Sequence, residues 1–458
     1  MSSKKKSILL CAGTDAGAVF SKRFIAALGG SEYTFQICRI DEVFGVLFMT
    51  EPSSGVPRYL REMTPGGTGI KRALKALLCC KKINHFLAKI YYPIDCVCFF
   101  SFIAMRQRLR MHRAKKRLQR LISELDVSAV IFTGAAPILP FQGVYLSLLP
   151  AKVPVVMVPS YQYFSRKYMC TIAAGFSEGR KDHFDHWLAD RLIPHWADEW
   201  EGQKIYPFAP FALLALVAGG VKRSTTTKEL RARISMVFFS SEWDKTLSLE
   251  YGDVPDTWPV TGSLDSDFLH AAYKNRDALH RTLCNEFGFN ASRTVAFDLN
   301  DFPQPYLAVL LDLAGIAENN GWNAIFCQKP GVAKRHADYC KHTGFAVAHG
   351  RTVEILPLSS LYVTIESTTA IWAAQLGIPT VSVGMNGCSG VTQWPGSRYF
   401  EKEDLEDFIA FLKEILSNDC TYNNLFALAQ SKKHIYGLQD GKCGERMSYF
   451  FNKYLCSN

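Results

Sequence analysis

Short apolar runs rich in β-branched residues recur along the chain, many closed by Gly or Pro, with stretches of helical spacing between them. Such an alternation specifies buried strands of parallel sheets joined by crossover helices. In the first half the runs are Ser7–Ala12, Phe35–Ile40, Val43–Met49, Ser128–Thr133 and Val153–Val158. The polar stretch Lys222–Arg233, which includes Ser224–Thr227, reads as a linker. Beyond it the pattern restarts with Ile234–Phe239, Thr294–Phe297, Asn323–Cys327, Phe345–Ala348, Leu361–Ile365 and Thr380–Val383. Helices fit at Pro305–Asn319, at Thr369–Leu376 and at Glu403–Leu416, where an acidic start suits the helix dipole, and a last one ends near Leu455. Two α/β halves follow. Ligands of such sheets bind at strand C-terminal ends, and a cleft between the halves is the default site.

Composition removes several classes. Of the residues, 48% are hydrophobic, enough for sizeable cores and too many for a disordered chain. The 14 cysteines include no C-x-x-C pair, so reduced buried thiols are expected rather than a zinc site or a disulfide framework. The apolar run Ile8–Ala12 behind Lys4–Lys6 is too short for a signal-peptide core, and Asp15 closes it. Ile205–Val221, 17 residues without charge, is interrupted by Pro207, Pro210 and Gly219–Gly220, and reads as a loop leading into a buried or interfacial helix. Between Lys71 and Ser123 stand 14 Lys and Arg against one acid, Asp95, so the net charge of +10 belongs to this region. Met111, Ala114, Leu118, Leu121 and Leu125 form one apolar stripe within it, and Phe86, Tyr91, Tyr92, Phe99, Phe100 and Phe102 lie upstream. Aromatic rings beside a cationic helix suit an anionic bilayer surface; a solvated basic helix over an aromatic core is the plainer alternative. No recognition motif accompanies the charge, so nucleic acid is not expected as a partner.

The segment Leu361-Tyr-Val-Thr-Ile-Glu-Ser-Thr-Thr-Ala-Ile-Trp-Ala-Ala-Gln-Leu-Gly-Ile-Pro379 carries the strongest chemical signal. A buried strand ends at Ile365, and Ser367, Thr368 and Thr369 are expected in the first turn of a helix, where free amides and hydroxyls can hold a phosphate. Ordinary capping by Ser and Thr is the plainer reading. Gly377 fits the C′ position, with Pro379 stopping the helix. Lys329 follows the run Asn323–Gln328 directly and can neutralise a phosphate as a point charge. In Trp258–Phe268, Gly262 allows a tight turn, and Asp265 or Asp267 is placed to cap the next helix. In the first half, Gly13 and Gly17 permit close backbone approach after the first strand, and Asp15 is either a helix cap or a carboxylate facing the cleft. His183, Asp185 and His186 form a polar cluster followed by Asp190, His195, Asp198 and Glu199. Their spacing makes a poor metal tripod, so an acceptor-side wall or a plain polar surface is the better expectation, with a general base second and a metal site last. No G-x-S-x-G, H-E-x-x-H or P-loop signature is present.

Taken in order, "PVTGSLDSDF", "FCQKPG" and "LYVTIESTTAIWAAQLGIPTVSVG" resemble the C-terminal half of GT-B-fold glycosyltransferases, closest to bacterial capsule and surface-polysaccharide transferases, over about Trp258–Gly384. The same outline recurs in CDP-glycerol phosphotransferases and UDP-N-acetylglucosamine 2-epimerases. The resemblance implies an α/β fold of two Rossmann-like domains facing each other across a cleft, with the C-terminal helix returning to the N-terminal domain. It divides the chain into an acceptor-binding, membrane-facing domain over 1–225, a nucleotide-sugar-binding domain over 226–430 and a C-terminal helix over 431–458.

The implied activity is sugar transfer from a UDP- or CMP-linked donor to a lipid-linked saccharide, without metal or cofactor, by a cytoplasmic protein held at the inner face of the cell membrane. Glu366, Ser367, Thr368, Thr369 and Lys329 would hold the donor, with Gly13 and Gly17 giving backbone approach. Asp15 would take the acceptor proton, with His183 as a second acid/base candidate. Two positions depart from the family pattern: Gly331 and Val332 follow the Lys-Pro pair where many relatives have His-Pro, leaving His336 as a distant substitute, and Trp372 stands where many carry a ribose-binding acid. An epimerase or hydrolase of the same fold and a non-catalytic polysaccharide-assembly partner are the competing expectations.

Overall fold

The computed structural model describes residues 6–12, 15–28, 33–39, 105, 108–109, 112–133, 146, 148–150, 152–158, 184–200, 202–206, 213, 217, 233–249, 255–299, 304–328, 334–365, 367, 369–384 and 395–457. By packing, the chain divides into two compact units. Met1–Val19, Glu32–Val156 and Ile172–Ser235 form one; Phe20–Ser31, Met157–Thr171 and Met236–Asn458 form the other.

The first sheet contains β1 (Lys6–Ala12), β2 (Tyr33–Arg39), β3 (Val127–Thr133), β4 (Val155–Val158) and β7 (Met236–Val237), in the order β2-β1-β3-β4-β7. β1 pairs in parallel with β2 and β3, Cys11 lying opposite Cys38 and Phe132. Helix α1 (Asp15–Leu28) leaves β1 after only two residues. The order reverses between β1 and β3, which makes the C-terminal ends of these two strands the switch point of this sheet. Helix α2 (112–124) buries Ala114 and Leu118 and exposes Arg113, Lys115, Lys116, Arg117 and Arg120; of the rest of the expected stripe, Leu121 is half-buried, Leu125 is half-buried just past the helix end, and Met111 lies outside the described residues. Helix α3 (Phe184–Leu192) precedes a hairpin of β5 (Asp198–Trp200) and β6 (Gln203–Ile205) that the periodicity did not announce.

The second sheet is longer and wholly parallel, in the order β10-β9-β8-β11-β12-β13. Its strands are β8 (Arg293–Leu299), β9 (Trp322–Gln328), β10 (Ala346–His349), β11 (Leu361–Ile365), β12 (Thr380–Val383) and β13 (Arg398–Phe400). In chain order this is 3-2-1-4-5-6, the doubly wound arrangement, with its reversal between β8 and β11. Before the sheet come α4 (Glu242–Leu249), α5 (Leu264–Lys274) and α6 (Arg276–Phe287). Between its strands run α7 (Gln304–Asn319), α8 (Lys334–His342), the short α9 (Thr352–Ile355) and α10 (Ala370–Leu376). The chain closes with α11 (Leu405–Ser417), α12 (Asp419–Lys432) and α13 (Cys443–Ser457).

Period-two alternation sends Val295, Phe297, Phe326, Val363 and Val381 to one core, beneath α7 and α11, where the Phe297 and Phe326 rings stack at 5.2 Å. Ala296, Ile325, Tyr362 and the inner side of α10 form the core on the opposite face. The strand expected over Ile234–Phe239 shrinks to Met236–Val237, because Phe239 pairs instead with Val260 in an isolated bridge. The helix expected from Glu403 begins as a 3₁₀ turn, Lys402–Asp404, before α11. Val43–Met49, nearly all of Lys222–Arg233 and most of Ile205–Val221 fall outside the described residues. Among those described, no helix is long and apolar enough to cross a membrane.

Candidate functional site

The switch point of the second sheet brings together polar groups that strands of this kind rarely bury. Asp298 is the penultimate residue of β8, and Cys327 lies opposite it on β9. Thr364, next to last on β11, donates its hydroxyl to Asp298 Oδ2 at 3.2 Å, so the bond bridges the two strands between which the order reverses. Ser382 lies opposite Thr364 on β12. Cys327, Asp298, Thr364 and Ser382 thus form one row across four strands, each 0% exposed. Tyr362, also 0% exposed, points to the same face two residues earlier on β11.

Beyond β11 the chain makes a tight hydroxyl-bonded turn. Ser367 Oγ and Thr369 Oγ1 lie 2.7 Å apart, and the Thr369 amide donates to Ser367 Oγ at 3.2 Å. The Ala370 amide donates to the Ser367 carbonyl at 3.1 Å. This corrects the expectation that both residues sit inside the first turn of the helix: α10 starts at Ala370, with Thr369 as N-cap making no side-chain cap bond. The serine hydroxyl folds back on the amide two residues ahead, the local bonding by which Ser and Thr favour turns over helix. Ser367 and Thr369 are 2% and 4% exposed. At the far end Gly377 adopts φ 70°, and the Ile378 amide reaches the Ala373 carbonyl at 2.9 Å, the left-handed C′ closure read from the sequence.

Electrostatically the row is protonated rather than anionic around its one carboxylate. Burial, with Asp298 adding to it, pushes the Cys327 thiol far up. The Tyr362 phenol stands well above its ordinary value through burial first and then the Asp298 charge, while the Thr369 and Ser367 hydroxyls pull the other way. Asp298 and Tyr362 were not singled out from the sequence. The signal for Asp298 was a lone acid at the end of an apolar run, Val295–Leu299, where a strand ending at Phe297 had been expected.

The other predicted residues fall elsewhere. Lys329, Glu366, Thr368, Gly13 and His183 lie outside the described residues. Asp15 and Gly17 belong to the first turn of α1. His336 is buried within α8. Ser263, not an aspartate, caps α5, its Oγ accepting from the Asp265 amide at 3.2 Å. Asp267 reaches instead to α13, accepting from the Cys443 and Gly444 amides at 3.0 and 2.9 Å, and Asp265 takes Arg23 of α1 at 3.1 Å. Arg23 draws the Asp265 carboxyl down against the larger upward push of burial. In the polar cluster, Asp190 accepts from Tyr206 and Lys204, each at 2.6 Å, which gives that carboxylate a structural role. Among the described residues no three His, Cys, Asp or Glu side chains come together as metal ligands.

No family model matches the chain, and no curated protein matches it. Solved structures match over its full length. S. aureus MnaA in complex with UDP is 12% identical, with a TM-score of 0.50 over 98% of this chain and 97% of that one. A Listeria monocytogenes protein assigned as a UDP-N-acetylglucosamine 2-epimerase is 13% identical, with a TM-score of 0.50 over 99% and 98%. The wall teichoic acid polymerase TagF aligns with 72% of this chain and 74% of its own, at 12% identity and a TM-score of 0.44. The likeness is one of fold: two Rossmann-like α/β domains of GT-B type.

Proposed function

We propose that the chain is a glycosyltransferase that moves a sugar from a UDP- or CMP-linked donor to a surface-polysaccharide or glycolipid acceptor. The observation that carries the reading is the Thr364–Asp298 bond at the switch point with the Ser367–Thr369 hydroxyl pair just beyond it. Doubly wound sheets take nucleotides in that position. Support also comes from a fold shared over the whole length with a protein that binds UDP.

In this proposal residues 1–225 serve the acceptor, 226–430 the donor, and 431–458 form the closing helix. Ser367, Thr368 and Thr369, with Glu366 and Lys329, hold the donor phosphates by hydrogen bonds and charge, with no metal. Gly13 and Gly17 let backbone approach the ligand. Asp15 removes the acceptor proton as the bond from sugar to phosphate breaks, with His183 beside the acceptor. The exposed cations of α2 hold the protein at the anionic inner face of the cell membrane, where a lipid-linked acceptor lies.

Nucleotide binding tests the donor site. The Ser367→Ala, Thr368→Ala pair should lower affinity for UDP or CMP about tenfold in calorimetry, the effect of losing about 1.4 kcal/mol of hydrogen bonding, without unfolding the protein. Unchanged affinity refutes the placement. The Listeria likeness favours one second reading, epimerisation or hydrolysis of the nucleotide sugar. Consumption of a UDP-sugar with no acceptor present selects it.

A further inference from the structure

Two large apolar side chains lie open to solvent inside the basic region: Met105 is 59% and Leu109 48% exposed. Both residues are helical, as is the exposed Arg108 between them. Four positions apart, they share one helix side. On the period of α2 that side continues through Lys116 and Arg120, while Ala114 and Leu118 occupy the opposite, buried one. The apolar pair is therefore in line with the cations and not with the core stripe. The single acid of α2, Glu124, stands at its C-terminal end, 3.8 Å from Arg120. A surface that takes this row must offer negative charge and, next to it, an apolar medium. An acidic protein face supplies the first alone; an anionic bilayer supplies both, with hydrocarbon directly beneath its phosphates. Lys and Arg keep their stems in apolar matter and their heads among phosphates at such a boundary, so cations nearby do not bar the pair from entering.

We propose that Met105 and Leu109 enter the acyl region of an anionic bilayer while Lys116 and Arg120 rest among its headgroups, so that two signals and not charge alone hold the protein. The inference rests on the reading of the basic region as a membrane surface, and adds the depth and the end at which it engages. Neither signal suffices by itself. Two side chains bury too little area to anchor a chain of 458 residues, so high salt still releases it.

Co-sedimentation of the full chain with phosphatidylcholine vesicles containing phosphatidylserine tests this at low salt. Met105→Ser with Leu109→Ser should weaken binding about thirtyfold, with the melting temperature unchanged. Met105→Leu with Leu109→Met keeps the apolar area and should bind within threefold of the parent. In Leu109→Trp, the fluorescence added to that of the parent should shift to the blue on vesicles and be quenched by lipids brominated in the acyl chain. Four results overturn the proposal: undiminished binding of the serine pair, an equal loss in the Leu–Met exchange, a Trp that acyl bromines do not quench, or a serine pair that melts lower. A parent dimer that the serine pair dissociates also overturns it, by giving the stripe to a second copy. Failure of the parent chain to bind the vesicles overturns the membrane reading itself, before any variant is compared.

Discussion

A carboxylate with no exposed surface in the middle of a parallel sheet carries a desolvation penalty of several kcal/mol, which hydrogen bonds only partly offset. Asp298 accepts one such bond from Thr364 and sits at the position where the strand order turns. Its influence is visible in its neighbours: Cys327 and Tyr362 both hold their protons more tightly because of it. Burial alone does the same to other thiols, pushing Cys340 up to about 11. At pH 8 these sulfurs stay protonated, and the thiol is the poor nucleophile. Iodoacetamide on the folded protein, read by peptide mass spectrometry, should therefore modify Cys420, which is exposed, while Cys327, Cys340 and Cys443 react only after unfolding. Rapid labelling of Cys327 in the native state would contradict the enclosed row.

Helix ends decide how the second unit is tied together. Asp267 belongs to α5 but satisfies the first amides of α13, which have no acceptor inside their own helix. Asp267→Ala should destabilise the fold by about 1–2 kcal/mol, read as a lowered urea midpoint with unchanged slope, as for loss of an N-cap. A sharper test is Gly437, which follows the last 3₁₀ turn at φ 102° and ψ 177°. A Cβ there would lie 2.4 Å from the Ser240 carbonyl oxygen, so space and conformation both exclude a side chain. Gly437→Ala should cost about 3 kcal/mol or more, and a stability loss under 1 kcal/mol would show that the backbone can move aside. The strands Leu361–Ile365 and Thr380–Val383 were legible to the residue, since period and β-branching are local properties. The hairpin β5–β6 and edge strand β13 are three residues per strand, too short for any period to register.

At the scale of the whole molecule, charge is the most unevenly distributed property. A surplus of +10 overall arises from one region, and the described part of it is a helix that turns its apolar side inward and its cations to solvent. Such a face is worth about 1 kcal/mol per cation near an anionic bilayer. Replacing Arg113, Lys116 and Arg120 by Gln should weaken binding to phosphatidylserine-containing vesicles roughly a hundredfold in co-sedimentation, leaving the melting temperature unchanged. Binding that survives the substitution, or high salt, would remove the membrane from the proposal.

Local chemistry determined a good deal by itself. Apolar period two, Gly and Pro at element ends and the Gly377 closure were enough to write down two α/β halves and the resemblance to GT-B proteins. What only the tertiary structure decided was partnership. Ser367 and Thr369 read as hydroxyls waiting for an anion, yet folding turns them to each other. Asp265 and Asp267 read as caps of their own helix, yet they serve α1 and α13. Asp298 reached significance only when β8 and β11, more than sixty residues apart, were laid side by side. Element type depends on neighbours a few residues away in sequence. The partner of a buried polar group depends on which distant strand the sheet order places next to it.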